Sequence, residues 1–101
     1  LYPNAIYNDN VLIGFFMYIR TESQVDTAII CRFMIDYKFQ NKGLGKKAFE
    51  YILRGFKIQG VRKVILMINK TNTIAKKLYL SFGFQFTGKI DKDEYYYELK
   101  L

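Results

Sequence analysis

The fold is decided by residues 34–60, which read MIDYKFQNKGLGKKAFEYILRGFKIQG. The first of these residues end an apolar run, residues 27–35, that is typical of a β-strand. After a loop with two glycines the period changes, and apolar side chains recur at helical spacing: Leu44, Ala48, Phe49, Ile52, Leu53 and Phe56. Gly60 is a suitable helix terminator. The stretch therefore predicts a strand, a loop and an amphipathic helix.

The segments on either side extend this into an α/β pattern. Residues 11–20 are apolar, aromatic and β-branched and predict an earlier strand, which the polar residues 21–24 end. Residues 61–68 contain an uninterrupted apolar run at 64–68, which predicts a strand covered on both faces of a parallel or mixed sheet. A strand, a helix and a buried strand in succession imply a crossover connection.

The last third of the sequence predicts a second helix and a final pair of strands. Residues 69–73 are rich in capping residues, and an apolar helix face follows: Ile74, Ala75, Leu78, Tyr79 and Phe82. Gly83 ends this helix. Residues 84–87 alternate as a strand does, residues 88–93 predict a turn, and residues 95–101 predict the last strand. The predicted order is β-β-α-β-α-β-β.

The length and composition predict one domain over residues 1–101 and exclude a disordered or low-complexity protein. Sixteen Lys and Arg against 9 Asp and Glu give a net charge of +7, which favours an anionic partner such as nucleic acid, a membrane or a phosphorylated small molecule. The lack of histidine excludes His-based metal sites and nucleophiles, and we expect no metal. The single cysteine, Cys31, cannot form an intrachain disulfide, which fits a reducing cytoplasm. No apolar run reaches the length of a membrane helix, so we expect no membrane-spanning segment, and of the anionic partners named above we do not expect the membrane.

The loop at residues 40–47, QNKGLGKK, has the composition of an anion-binding site. Gly43 and Gly45 let the backbone approach a ligand closely. The loop precedes a helix start, where backbone N–H groups lack partners and the helix dipole is positive. Three lysines add positive charge: Lys42, Lys46 and Lys47. We therefore predict that this loop binds a phosphate or diphosphate group.

Two other phosphate-binding motifs fit this loop poorly. A Walker loop requires a glycine where Gln40 stands and a hydroxyl residue where Lys47 stands. A dinucleotide fingerprint over Gly43, Gly45 and Ala48 would need its first glycine directly after the strand. It would also need an acidic residue at the end of the next strand, where the sequence has Asn and Lys. Both motifs are therefore disfavoured.

The pattern Gln-x-x-Gly-x-Gly between a strand and a helix resembles the cofactor-binding motif of the GNAT family of N-acetyltransferases. A second segment, residues 72–84, resembles the family's Asn-x-x-Ala-x-x-x-Tyr-x-x-x-Gly-Phe pattern on the next crossover helix. Met34-Ile35-Asp36 is similar to the family's fourth strand. The resemblance covers residues 11–101, and residues 87–99 are similar to bacterial polyamine (spermine/spermidine) acetyltransferases.

This resemblance implies a fold and an activity. The fold is an α/β (α+β sandwich-like) GNAT fold, with a mixed, mostly antiparallel sheet flanked by helices. The chain would start near the family's second strand and lack the first strand and two helices, which line the acceptor site. The activity is acetyl transfer from acetyl-CoA to a small-molecule primary amine, with a polyamine favoured. The resemblance further implies a cytoplasmic protein without a nucleic-acid partner, and homodimers of the kind common in the family.

The resemblance also implies roles for individual residues. The cofactor would contact Phe33, Met34, Ile35, Gln40, Asn41, Lys42, Gly43, Leu44, Gly45, Lys46 and Asn72. The strand residues would use backbone groups toward the pantetheine arm and the thioester carbonyl. Asn72 is equally suited to cap a helix. Tyr79 matches the acid that protonates the departing thiolate, whereas without the resemblance it reads as a core tyrosine.

The sequence does not identify the general base. Cys31 stands where some relatives carry a glutamate, and we expect it to be a small buried hydrophobe. Glu22, Asp26 and Asp36 are acidic candidates near strand ends, although each is more typical of a solvated turn. A chain of water molecules is an equally good alternative.

Two other functions stay open at this point. Arg54-Gly55-Phe56 is similar to the start of an RNA-recognition signature, but it lies within the helical period, and the stacking aromatics would be on the wrong element. A module that binds acetyl-CoA without catalysis is the second alternative, because the phosphate-binding loop does not require a finished acceptor pocket.

Overall fold

Six strands and two α-helices are present in the computed structural model, which describes residues 3–21, 23–40 and 42–101. The strands are β1 Pro3–Asn8, β2 Val11–Thr21, β3 Gln24–Ile35, β4 Lys63–Asn69, β5 Gln85–Asp91 and β6 Glu94–Lys100. The helices are α1 Leu44–Ile58 and α2 Thr73–Ser81, and a short 3-10 helix, Tyr37–Phe39, follows β3.

The strands form one mixed sheet in the order β1-β2-β3-β4-β6-β5. Among the described residues, β3 and β4 form the parallel pair, and all other neighbours are antiparallel. The parallel pair is joined by α1, because parallel neighbours need a long crossover rather than a hairpin. The prediction of a mixed, mostly antiparallel sheet is confirmed.

Both helices pack on one face of the sheet. Phe49 of α1 is buried there together with Leu66 of β4, and Tyr79 of α2 packs against the same core. The opposite face, which we call the helix-free face, consists on β4 and β6 of the alternate residues: Ile65, Met67, Tyr96 and Glu98. These side chains are only half-buried. Within the described residues, 64–68 are therefore fully covered on one face and not on both as predicted, since the described helices lie on the same side.

Three further predictions differ from the structure. The sequence did not indicate β1, whose Pro and Asn residues are rare in strands and which forms by pairing with β2. β5 continues to Asp91 through the predicted turn at 88–93, because it pairs with β6 up to that residue. Ile74 belongs to the predicted apolar face of α2 but is 83% exposed. Both helices end at the predicted glycines, Gly60 and Gly83.

β2 and β3 approach each other closely at Gly14. A Cβ atom built on Gly14 would lie 2.1 Å from the carbonyl oxygen of Met34 and 3.0 Å from the Cα atom of Ile35. Real Cβ atoms do not approach another atom as closely as the first of these distances, so a side chain at this position would displace the end of β3. Gly14 therefore fixes the position of the strand that leads into the loop at residues 40–47.

Candidate functional site

The site begins where β3 and β4 separate. Their parallel ladder extends from Thr27 opposite Lys63 to Ile30 opposite Leu66, and no further β3–β4 pair follows among the described residues. β3 nevertheless continues to Ile35. We call the space between residues 31–35 of β3 and 67–69 of β4 the β3–β4 gap. Its β3 edge presents peptide groups that no neighbouring strand of the described chain takes up.

A β-bulge lies at the level where the gap opens. On the β2 side of β3, Tyr18 pairs with Ile30 and Met17 pairs with Arg32, so that Cys31 is the additional residue. A bulge bends its strand and increases the local twist. The bulge therefore accounts for the separation of β3 from β4 directly after Ile30.

The structure also corrects the prediction for Cys31. Its side chain is exposed rather than buried, and its thiol lies 3.8 Å from the carbonyl oxygen of Ile29. The expected burial followed from the apolar run around it, in which strand alternation cannot be read. Alternation with the buried Ala28 and Ile30 places Cys31 on the helix-free face, and the bulge then returns Phe33 and Ile35 to the helix side.

The three predicted strand residues lie along the gap. The Phe33 ring contacts Phe49 of α1, with centroids 5.2 Å apart, and Ile35 is buried near Ala48. Met34 points the other way and is 48% exposed. Their side chains are thus used for packing on alternate sides, which leaves backbone groups for a ligand in the gap.

The segment after β3 is held in place by its own polar side chains. Asp36 caps the 3-10 helix by accepting a hydrogen bond from the Lys38 backbone N–H at 3.0 Å. The Gln40 side-chain amide donates to the carbonyl oxygen of Ile35 at 2.9 Å. Gln40 therefore ties the loop back to the end of the strand. Asn41, which was predicted to contact the cofactor, lies outside the described residues.

The start of α1 is open backbone. Gly43 precedes the helix with a φ of 73°, a left-handed conformation that favours glycine, and it provides no side-chain cap. The intrahelical ladder of hydrogen bonds begins at Lys47, whose backbone N–H donates to the Gly43 carbonyl oxygen at 3.2 Å. The N–H groups of the first helical residues therefore have no partner within the helix: Leu44, Gly45 and Lys46.

The space around this helix start fits a phosphate group. A Cβ atom on Gly45 would meet only the Ile35 Cγ1 atom within 4 Å, at an ordinary 3.6 Å, so packing does not require glycine there. A bare backbone at Gly45 instead permits close approach of a ligand. The lysines of the loop have exposed side chains: Lys42, Lys46 and Lys47. Free N–H groups, a positive helix dipole and ammonium groups together suit a diphosphate.

The start of α2 differs, because a side chain caps it. The Oδ1 atom of the Asn72 side chain accepts a hydrogen bond from the Ala75 N–H at 3.0 Å. This confirms the helix-cap alternative for Asn72. The cap uses the oxygen of the side-chain amide, and the NH2 group is left to donate elsewhere, so a contact with the cofactor arm stays a prediction.

Tyr79 lies in the aromatic core between the two helices. Its ring centroid is 5.1 Å from that of Phe49 and 5.9 Å from that of Phe84. Phe49 also contacts Phe33, so a single ring separates Tyr79 from the β3 edge of the gap. Burial raises the pKa of the Tyr79 phenol to about 12. The phenol thus stays protonated at neutral pH and can donate a hydrogen bond or a proton.

The remaining candidates are spread over the molecule. Asp26 accepts a hydrogen bond from the Thr27 hydroxyl at the far end of β3, Asp36 caps the 3-10 helix, and Glu22 lies outside the described residues.

Within the described ranges, no group of three or more His, Cys, Asp or Glu residues could hold a metal ion. No helix in the described part of the chain is long and apolar enough to span a membrane. Arg54 and Phe56 lie in α1, where they cannot form an RNA-binding strand.

Comparisons with known proteins agree with this geometry. Residues 1–84 match the Acetyltransferase (GNAT) family. The chain is 33% identical over 95 residues to the spermine/spermidine N(1)-acetyltransferase of Bacillus subtilis (strain 168), covering 88% of this chain and 62% of that protein. The PaiA N-acetyltransferase of Thermoplasma acidophilum, solved in complex with coenzyme A, superimposes with a TM-score of 0.82 at 21% identity, over 96% of this chain and 58% of that one. The ribosomal-protein-S18-alanine N-acetyltransferase of Escherichia coli gives a TM-score of 0.80 at 20% identity, over 95% and 66%.

The chain belongs to the GNAT acetyltransferase family. The family resemblance and the GNAT fold predicted from the two sequence motifs are confirmed. The chain spans 62% of the length of the Bacillus subtilis relative. Sequence reasoning missed two structural features of the site, namely the bulge at Cys31 and the close approach at Gly14.

Proposed function

We propose that this GNAT family member binds acetyl-CoA and transfers its acetyl group to a primary amine by direct attack in a ternary complex. The observation that carries the proposal is the β3–β4 gap, which leads from the bulge at Cys31 to the uncapped start of α1. A gap with free peptide groups suits an extended amide-containing arm, and an uncapped helix start suits the diphosphate to which that arm is attached.

The parts of acetyl-CoA would be distributed along this line. The first N–H groups of α1 bind the diphosphate, with Lys42 and Lys46 nearby. Gln40 acts on the loop rather than on the ligand, because its amide is bonded to Ile35. The arm extends along the edge of β3, and one backbone N–H among residues 33–35 donates to the thioester oxygen. The fixed position of that donor stabilises negative charge as it develops on this oxygen.

The transfer itself needs a neutral amine and a proton for the thiolate. The amine nitrogen attacks the thioester carbon, a C–N bond forms, and the C–S bond breaks with its electron pair on sulfur. Tyr79 donates its proton to that sulfur, the nitrogen loses its extra proton to water, and water returns a proton to the Tyr79 phenolate. A phenol with a pKa of about 12 is a weak acid, so Tyr79 acts mainly by donating a strong hydrogen bond to the thiolate before the proton transfers.

A polyamine is the proposed acceptor class. Support comes from the Bacillus subtilis relative, which is named a spermine/spermidine N(1)-acetyltransferase and is 33% identical over 95 residues. The net charge of +7 opposes binding of a polycation, so the protein needs negative or aromatic side chains close to the bound acceptor.

The test combines binding with turnover on the full chain. Acetyl-CoA is titrated into the protein by calorimetry, and release of free thiol is then measured with spermine, spermidine and butylamine. We expect saturable binding and thiol release that depends on the amine. Binding without thiol release for any amine would favour the non-catalytic module, and absence of heat with millimolar acetyl-CoA would overturn the proposal.

A further inference from the structure

The β5–β6 hairpin places an ammonium group on an aromatic ring. The Nζ atom of Lys89 lies 4.3 Å from the ring centroid of Tyr96. Phe86 pairs with Tyr97 and Ile90 pairs with Tyr95, so the intervening residues 87–89 of β5 face Tyr96 alone on β6. The Thr87 hydroxyl oxygen accepts a hydrogen bond from the Lys89 N–H at 3.1 Å and closes this wide bulge. The irregularity in β5 is therefore what brings the cation to the ring.

Tyr96 lies on the helix-free face, on the strand that borders β4 on the side away from the β3–β4 gap. It pairs with Met67, which directly follows the last residue of β4 that is paired with β3. Tyr79 and the start of α1 are on the helix side of the sheet. Because acetyl-CoA would occupy that side of the gap, an amine can reach the thioester from the helix-free face, where Tyr96 is the half-buried aromatic residue on the strand next to β4.

The surroundings of the ring are negative. Glu94 and Glu98 are two positions before and after Tyr96, and alternation along β6 puts all three side chains on the helix-free face, about 7 Å apart. Neither carboxylate forms an ion pair with a described residue. A ring that already holds one ammonium group, between two unpaired carboxylates, has the chemistry of an ammonium-binding site.

We propose that the Tyr96 ring binds the distal ammonium group of a linear polyamine acceptor, and that Lys89 occupies this ring until the acceptor displaces it. The inference rests on the proposed function. The reacting nitrogen must be neutral in the gap, whereas the distal nitrogen stays protonated at neutral pH and gains from an aromatic face and nearby carboxylates. Lys89 is then an internal competitor, and acceptors with a single amine do not use the site.

The experiment compares spermidine with butylamine in four variants of the full chain. Tyr96→Leu removes the ring and Tyr96→Phe keeps it, while Lys89→Ala removes the competitor. Lys100→Ala is the matched control for the loss of one positive charge, since Lys100 is exposed at the far end of β6. We measure spermidine binding to the coenzyme A-saturated protein by calorimetry, and the KM of each amine and of acetyl-CoA by thiol release.

We expect Tyr96→Leu to weaken spermidine binding about tenfold and Lys89→Ala to tighten it about threefold, because each changes one cation–ring contact. Tyr96→Phe and Lys100→Ala should stay within about twofold of the unchanged protein, and the butylamine KM should not move. Spermidine binding that is unaffected in both Tyr96→Leu and Lys89→Ala would overturn the inference, as would equal tightening in Lys100→Ala. If Tyr96→Leu does not fold, the spermidine affinity of Lys89→Ala compared with that of Lys100→Ala decides the question.

Failure of the proposed function has a different outcome. In that case no amine releases thiol in the unchanged protein, yet the calorimetric comparison of Lys89→Ala with Lys100→Ala still tests the ring as an ammonium site. Conversely, normal turnover with an unchanged spermidine affinity in every variant leaves the acetyltransferase proposal intact and removes the role of Tyr96.

Discussion

The two helices begin in different ways although both follow a strand at the same edge of the sheet. α1 starts at Gly43, which has no side chain, and its first N–H groups lack an intrahelical partner. α2 starts at Asn72, whose side chain accepts a hydrogen bond from the Ala75 N–H. α2 also carries Tyr79, whose ring packs against Phe49 in the aromatic core.

The difference separates two kinds of contribution to the site. A side-chain cap at α1 would satisfy the N–H groups and add about 1 kcal/mol of stability, but it would compete with an anionic ligand for them. α1 therefore offers backbone N–H groups to the candidate site. α2 offers side chains, because its own first N–H groups are already capped by Asn72. Variants of either helix should consequently change different measured quantities.

The largest effect is expected from Tyr79→Phe in α2. Loss of the phenol should lower kcat about a hundredfold, because the thiolate then departs without a positioned donor. The KM for acetyl-CoA should stay nearly the same, since the backbone at α1 holds the cofactor. Steady-state thiol release at varied acetyl-CoA measures both constants. Tyr95→Phe removes a hydroxyl from the same side of the sheet and serves as the control. An unchanged kcat would remove Tyr79 as the acid.

The next effect concerns the backbone of α1. Gly45→Val should weaken coenzyme A binding at least about tenfold, because the side chain blocks approach of the diphosphate. The free energy of unfolding should change little, as the new Cβ would lie 3.6 Å from its nearest neighbour, Ile35 Cγ1. Gly55→Val introduces the same residue in open space within α1 and is the matched control. Calorimetry and urea unfolding separate the two effects, and equal affinities in both variants would contradict the diphosphate site.

A pair of substitutions at Asn72 separates its two roles. Asn72→Ala should lower the free energy of unfolding by about 1 kcal/mol, because the Ala75 N–H loses its acceptor. Asn72→Asp keeps that acceptor and should retain the stability, while both variants lack the NH2 group that would reach the cofactor. We expect weaker coenzyme A binding in both. Full affinity in Asn72→Asp would reduce Asn72 to a helix cap.

The smallest effect is a pH dependence of stability that comes from Tyr79. Its pKa is about 12 in the folded protein and near its usual 10 in the unfolded chain. The folded state therefore binds the phenol proton more tightly than the unfolded chain does, and the free energy of unfolding falls as pH rises above 10. The difference in unfolding free energy between the unchanged protein and Tyr79→Phe should be constant from pH 8 to 9 and about 1 kcal/mol smaller at pH 11. Parallel stability curves for the two proteins up to pH 11 would contradict the burial of this phenol.

The sequence predicted the elements whose hydrophobic period and capping residues agree with their packing in the fold. α1 has both a regular apolar period and a terminating glycine, and the loop before it combines glycines with lysines. β1 could not be predicted, because its Pro and Asn residues disfavour a strand and only pairing with β2 forms it. The bulge at Cys31 was also hidden, since an extra residue within an apolar run leaves no trace in the hydrophobic pattern. The competition between Lys89 and a ligand for Tyr96 depends on strand register, which the sequence does not show.

The close approach at Gly14 has a consequence for mutational studies. Any side chain at this position would collide with the Met34 carbonyl group and shift the segment that Gln40 anchors. A random library selected for activity should therefore tolerate only glycine at position 14, although this residue lies within β2 and is not among the residues proposed to contact acetyl-CoA. Substitutions there would resemble active-site lesions in a phenotypic screen, and only a stability measurement would reveal that their origin lies in the scaffold.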